Sequence, residues 1–172
     1  GTDDYNADLT GYFVTGDFTK PTITTFYPPR EAKAFGTTEN IVLTFSENVQ
    51  GESSKFITLQ NRHSAYTGSY TYDCSAISIS ANIATIDPST FYGAGSAPYT
   101  DLDPCSLYQF TTDATGCFMD TSTNANVMAY IPDYSSSSSD AYVFFSSCLV
   151  GFDPANGAED VLINQTVTLM FS

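Results

Sequence analysis

Few residues in this chain have the chemistry for catalysis or ligation, and their spacing decides what each can do. The single histidine, His63, sits in Asn61-Arg62-His63-Ser64. A nucleophilic triad needs an imidazole beside a serine and an acid. No G-x-S-x-G elbow accompanies it, so it reads as a loop histidine. Acidic residues gather at Asp3-Asp4, Asp101-x-Asp103, Asp113, Asp120, Asp133 and Glu159-Asp160. Calcium takes roughly six to eight oxygens around one point. Asp101 and Asp103 share a loop with Tyr99, but no DxDxDG run exists, and these carboxylates read as solvated surface. Glycoside hydrolysis needs two carboxyls flanking one bond, and nothing in the sequence singles out a pair. No glycine-rich phosphate loop occurs. No catalytic residue, metal ligand or cofactor is assigned, and the chain is not expected to be an enzyme.

Four cysteines are present: Cys74, Cys105, Cys117 and Cys148. None forms a CxxC, and one histidine is too few for zinc spacing. An even count in a β-rich, acidic chain reads as two disulfides in an oxidising compartment. Asn164-Gln165-Thr166 is an N-glycosylation sequon at the entry to a predicted strand, so covalent glycans are a possible partner. Ser135 to Ser139 reads as a flexible polar loop that could carry O-linked sugars. Residues 89–104 form a long Gly/Pro loop with Phe91, Tyr92 and Tyr99, aromatic rings of a kind that stack on sugars.

The elements that must hold these residues are strands. Nineteen acidic residues against five basic ones give a formal net charge of −14. Such a field repels nucleic acid and anionic lipid, which excludes nucleic-acid binding as a main activity. Aromatics make up 15% of the chain, enough for a sandwich core, although Trp is absent. There is no apolar run near the length of a membrane span. Ile41, Leu43 and Phe45 alternate with Val42 and Thr44, the period-two signal of a half-buried strand. Lys55 to Gln60, Ser69 to Asp73, Asn82 to Ile86, Leu107 to Thr112 and Ala141 to Phe145 read as further strands, and no useful helical periodicity appears.

The strand at Ile41 belongs to a stretch that the chain carries twice. Phe26 to Ser46 and Phe152 to Ser172 have the same length. They are identical at Phe26/Phe152, Pro28/Pro154, Ala32/Ala158, Leu43/Leu169, Phe45/Phe171 and Ser46/Ser172. A repeat of this kind fixes architecture. Residues 20–147 are expected to form one complete unit. Residues 148–172 would be the first strands of a following unit, and 1–19 the last strand of a preceding one or a donor strand.

The layout of Pro28, the strand Ile41 to Phe45 and the following Ser46-Glu47-Asn48-Val49 resembles the bacterial Ig-like domain of the S-layer-protein type, in tandem repeats. The resemblance implies an all-β fold, an Ig-like antiparallel β-sandwich of about seven strands, and is nearly silent on activity. In such a sandwich successive strands alternate in direction, which puts Cys74 with Cys117 at one end and Cys105 with Cys148 at the other. Among the three connectivities open to four cysteines, the resemblance thus favours Cys74–Cys117 and Cys105–Cys148.

The resulting expectation is an extracellular structural protein, secreted or on the cell surface. Its units would pack end to end with other copies, as a head-to-tail polymer forming a filament, stalk or surface layer. Tyr12, Val14, Val167, Leu169 and Phe171 are the expected assembly residues, because a lone strand would otherwise present an unpaired apolar edge. Sharing strands between copies would satisfy them. The alternative is an adhesin or carbohydrate-binding module using the 89–104 loop.

Overall fold

The computed structural model describes residues 16–62, 68–93, 101–132, 141–153 and 168–171. Two sheets face each other across one core. The first runs in the order β1 (Ile23–Tyr27), β2 (Ile41–Phe45), β7 (Ile83–Ile86), β6 (Ser78–Ser80). The second runs β11 (Tyr142–Phe145), β9 (Leu107–Thr112), β4 (Phe56–Asn61), β5 (Ser69–Asp73), β8 (Tyr92–Gly93). All pairings between named strands are antiparallel. This is an Ig-like β-sandwich. The short strands β6 and β8 extend its sheets at their rims.

Alternation sets the core. Ile41, Leu43 and Phe45 of β2 are buried, as are Ala84 and Ile86 of β7. From the other sheet come Ile57 and Leu59 of β4, Tyr108 and Phe110 of β9, and Tyr142 and Phe144 of β11. All belong to one apolar cluster. Each of the larger aliphatic and phenylalanine side chains contributes about 1.5–3 kcal/mol by leaving water. The two sheets meet through rings: Phe26 lies 4.6 Å from Tyr142 between centroids. The Tyr142 hydroxyl, buried with its ring, donates to the Pro28 carbonyl at 2.8 Å.

The edge of β11 is covered. Glu31 N–H donates to the Val143 carbonyl, and Phe145 N–H donates to the Ala32 carbonyl. Phe35 N–H then donates to the Phe145 carbonyl, and Ser147 N–H to that of Phe35. The 31–35 segment thereby takes up backbone groups that an open edge would offer to another chain.

At one end, β3 (Val49–Gly51) pairs with β10 (Phe118–Asp120). Cys74 and Cys117 are joined beside this pair, with Cα atoms 5.7 Å apart. Cys105 and Cys148 are joined at a Cα separation of 4.4 Å.

β12 (Leu149–Asp153) and β13 (Thr168–Phe171) form a separate two-stranded sheet. It repeats the first hairpin in register. Ile23, Phe26 and Tyr27 face Phe45, Leu43 and Val42. Leu149, Phe152 and Asp153 face Phe171, Leu169 and Thr168. Both pairs break register at the same place, between Ile23 and Thr25 and between Leu149 and Gly151.

Candidate functional site

The segment leading into β1 is held by a loop from the far half of the chain. Asp17 precedes the Lys20-Pro21 joint, and its side chain accepts from Thr19 N–H at 2.8 Å. Its carbonyl accepts from the Asn124 side-chain amide at 2.7 Å and from that of Asn126 at 2.8 Å. Both asparagines lie in the turn after β10, where the chain reverses to bring Met128 N–H to the Phe118 carbonyl.

Asp120, the last residue of β10, organises that turn. It is only 1% exposed. Its Oδ1 accepts from Ser122 N–H, Ser122 Oγ and Asn126 N–H, and its Oδ2 from Asn126 Nδ2, at 2.7 to 3.1 Å. Burial pushes its carboxyl up, but the hydrogen bonds from Asn126 and Ser122 outweigh that and hold it below the usual carboxylate range.

Glu47, two residues past β2, completes the group. Carboxylate oxygens of Asp17, Glu47 and Asp120 lie within 4.8 Å of one another. Burial raises the Glu47 carboxyl above its ordinary value, and the charges of Asp17 and Asp120 raise it further. Three carboxylates in one place supply the hard oxygens that a divalent cation such as calcium takes. In the sequence the acidic pair that stands out is Asp101-x-Asp103, and no local pattern marks these three residues as metal ligands. The three residues here come from three segments distant in the chain, and Glu47 stands in the Ser46-Glu47-Asn48-Val49 motif that carries the family resemblance.

Asp103 is engaged elsewhere. Its Oδ2 accepts from Asn61 Nδ2 at 2.8 Å and from the Tyr108 hydroxyl at 3.3 Å. Asp101 lines a small polar groove with Thr37, Asn40 and Asp87. Neither joins the cluster. Phe91 is a correction to the idea of a sugar-stacking loop. It is fully buried and packs 5.5 Å from Tyr72 between ring centroids. Asp87 caps the 3-10 turn Pro88–Thr90 by accepting from Ser89 N–H, and this turn carries Phe91 into the core. His63, Tyr99, the serine run, the sequon at Asn164 and the assembly residues Tyr12, Val14 and Val167 lie outside the described residues. Leu169 and Phe171 are in β13.

A second surface feature lies beside the joint. Pro21, Ile23, Phe26 and Met128 line a largely apolar groove of about 400 Å³, together with Lys20 and Arg30. The Arg30 guanidinium sits 4.6 Å over the Phe26 ring.

A sandwich of this topology, entered through a proline joint, has a counterpart among known families. The model of the family described as bacterial Ig-like domain matches residues 17–137. The chain belongs to this family. No curated protein and no solved structure matches it. Bacterial Ig-like domains are typically non-catalytic and occur on surface proteins, and the two disulfides fit an extracellular location. Among the described residues no helix is long and apolar enough to cross a membrane. The match to a bacterial Ig-like domain begins at Asp17, so the carboxylate group lies within the matched residues.

Proposed function

We propose that this chain is a building element of an extracellular structural protein. Its Ig-like units pack end to end, as a head-to-tail polymer of S-layer type, into a filament, stalk or surface layer. The observation that carries the reading is the recurrence of the β1–β2 register in β12–β13, irregularity included. A sequence similarity alone would preserve apolar positions. A shared register with a shared irregularity is what a second unit of the same fold needs at its start.

The joint between the units is short. Only Ser146, Ser147 and Cys148 separate β11 from β12. Ser147 N–H is bonded to Phe35, Ser146 is bonded to Ser106 and Asp103, and Cys148 is bonded to Cys105. A linker with each residue tied to the preceding unit suits an array of fixed geometry better than a flexible tether. The sugar-binding alternative loses Phe91 to the core.

Electron microscopy of the native material, with size exclusion on the same sample, tests the reading. Regular filaments with an axial repeat of roughly 35–50 Å, one sandwich of strands plus loops, are expected. Dispersed monomers at all concentrations overturn it.

A further inference from the structure

We propose that the two disulfides act as interlocked tethers that limit how far a unit can lengthen under tension. The inference rests on the structural reading for its biological use, but its physical content depends only on connectivity.

Each bridge spans 43 residues. In chain order the four cysteines run Cys74, Cys105, Cys117, Cys148, and the bonds join first to third and second to fourth. The two loops therefore overlap between Cys105 and Cys117, rather than nesting or following one another.

The position of Cys148 decides where tension goes. It sits immediately before β12, where the chain leaves the unit. Pulling there would peel β11 from the sheet strand by strand. The bond to Cys105 hands the force to the start of β9, which lies between β11 and β4. The same corner is sewn by hydrogen bonds. Ser106 N–H donates to Ser146 Oγ at 2.9 Å, and Ser146 N–H donates to the Ser106 carbonyl at 2.9 Å. Ser146 Oγ also donates to the Asp103 carbonyl at 2.6 Å.

Once the strands part, the shortest covalent route is set. It runs from Lys20 along the chain to Cys74, across to Cys117, back along the chain to Cys105, and across to Cys148. The 75–104 and 118–147 segments hang slack. At about 3.5 Å per extended residue, this route reaches about 230 Å, against about 450 Å for the same stretch without bridges. With either bridge alone the reach is about 300 Å. The bridges are not additive: each alone removes about 150 Å, and both together about 220 Å. Tension passes through both bonds in series, so neither is idle.

Single-molecule force spectroscopy tests this on the 172-residue chain, held by handles at its two ends. The oxidised molecule is unfolded at constant force, and dithiothreitol is then admitted. A reductant thiolate attacks one sulfur of a bridge, forms a mixed disulfide and expels the other sulfur as a thiolate, which frees the loop. Starting from the folded, oxidised molecule avoids any dependence on a cysteine variant folding. Two unequal lengthening steps are expected, about 70 Å and then about 150 Å, in that order whichever bond yields first. Two equal steps of about 110 Å would mean sequential loops, and no steps would mean no tether; either overturns the proposal. Microscopy of the oxidised sample separates the two readings. The unequal steps without filaments would leave the tether and remove the fibre. Filaments without the steps would do the reverse.

Discussion

Asn126 holds Asp120 twice, through its backbone N–H to Oδ1 at 3.0 Å and its side-chain amide to Oδ2 at 2.7 Å. The same amide donates to the Asp17 carbonyl at 2.8 Å. One side chain thus ties the turn after β10 to the segment that enters β1. Replacing it, Asn126→Ala, leaves a buried carboxylate short of donors and the entry segment short of one of its two amide contacts. Lost partners of a buried charged group cost more than lost neutral bonds. The expected result is a melting temperature several degrees lower, with faster amide exchange near Thr19 and Asn124. Unchanged exchange at Thr19 would show that Asn124 alone holds the entry segment.

Glu47 gives a prediction with a definite sign. Burial first, then the charges of Asp17 and Asp120, make its carboxyl easier to protonate in the folded state. The folded protein therefore binds more protons than the unfolded chain between the ordinary and the raised value. The penalty is absent at low pH, sets in as pH rises through the unfolded value, and is complete above the raised one. Glu47→Gln removes it. In EDTA and low salt, the variant should melt above the parent at neutral pH and converge with it below about pH 4. Asp120 behaves oppositely: its contribution persists until pH falls through its depressed value. A Glu47→Gln variant that melts below the parent at neutral pH would contradict the repulsion.

The strand Ile41–Phe45 was legible because its alternation is written in five consecutive residues, and its inward side chains are the buried ones. β13 was legible from the match of Leu169 and Phe171 with Leu43 and Phe45, whereas most of β12 precedes the matched stretch. β6 and β8 were not legible, since three and two residues carry no periodicity. Asp17, Glu47 and Asp120 share no local pattern, because only the fold brings their three segments together. Phe91 reads as a loop residue because Gly93, Gly95, Pro98 and Pro104 follow it, while the capped turn at Asp87 that buries it lies before it.

Gly51 marks a close approach that no side chain can share. A Cβ there would fall on the Cys74 carbonyl, a backbone atom that cannot swing away. Gly51 pairs with Phe118, and Glu52 N–H donates to the Cys117 carbonyl at 2.9 Å. The glycine therefore lets β3 lie against both halves of the Cys74–Cys117 bridge. Gly51→Ala should force β3 off Cys74 and cost about 1–3 kcal/mol, as overpacking does. Urea titration would read this as a lower midpoint at unchanged slope. A midpoint equal to the parent's would mean that the backbone accommodates the methyl.

Phe91 separates a core role from a ligand role in one variant. Its ring is fully buried, packs against Tyr72 and belongs to the apolar cluster. Truncating a buried phenylalanine costs about 3–5 kcal/mol through lost burial and the cavity left behind. Phe91→Ala should therefore remove a large fraction of the total stability, since domains hold only about 5–15 kcal/mol, and this reads as a much lower urea midpoint. Phe91→Leu should recover most of it, because a leucine refills much of the space. Glycan-array binding should be equal for the parent and Phe91→Leu. A Phe91→Leu variant with parental stability and lost glycan binding would return this ring to the surface as a sugar platform and weaken the structural reading of the domain.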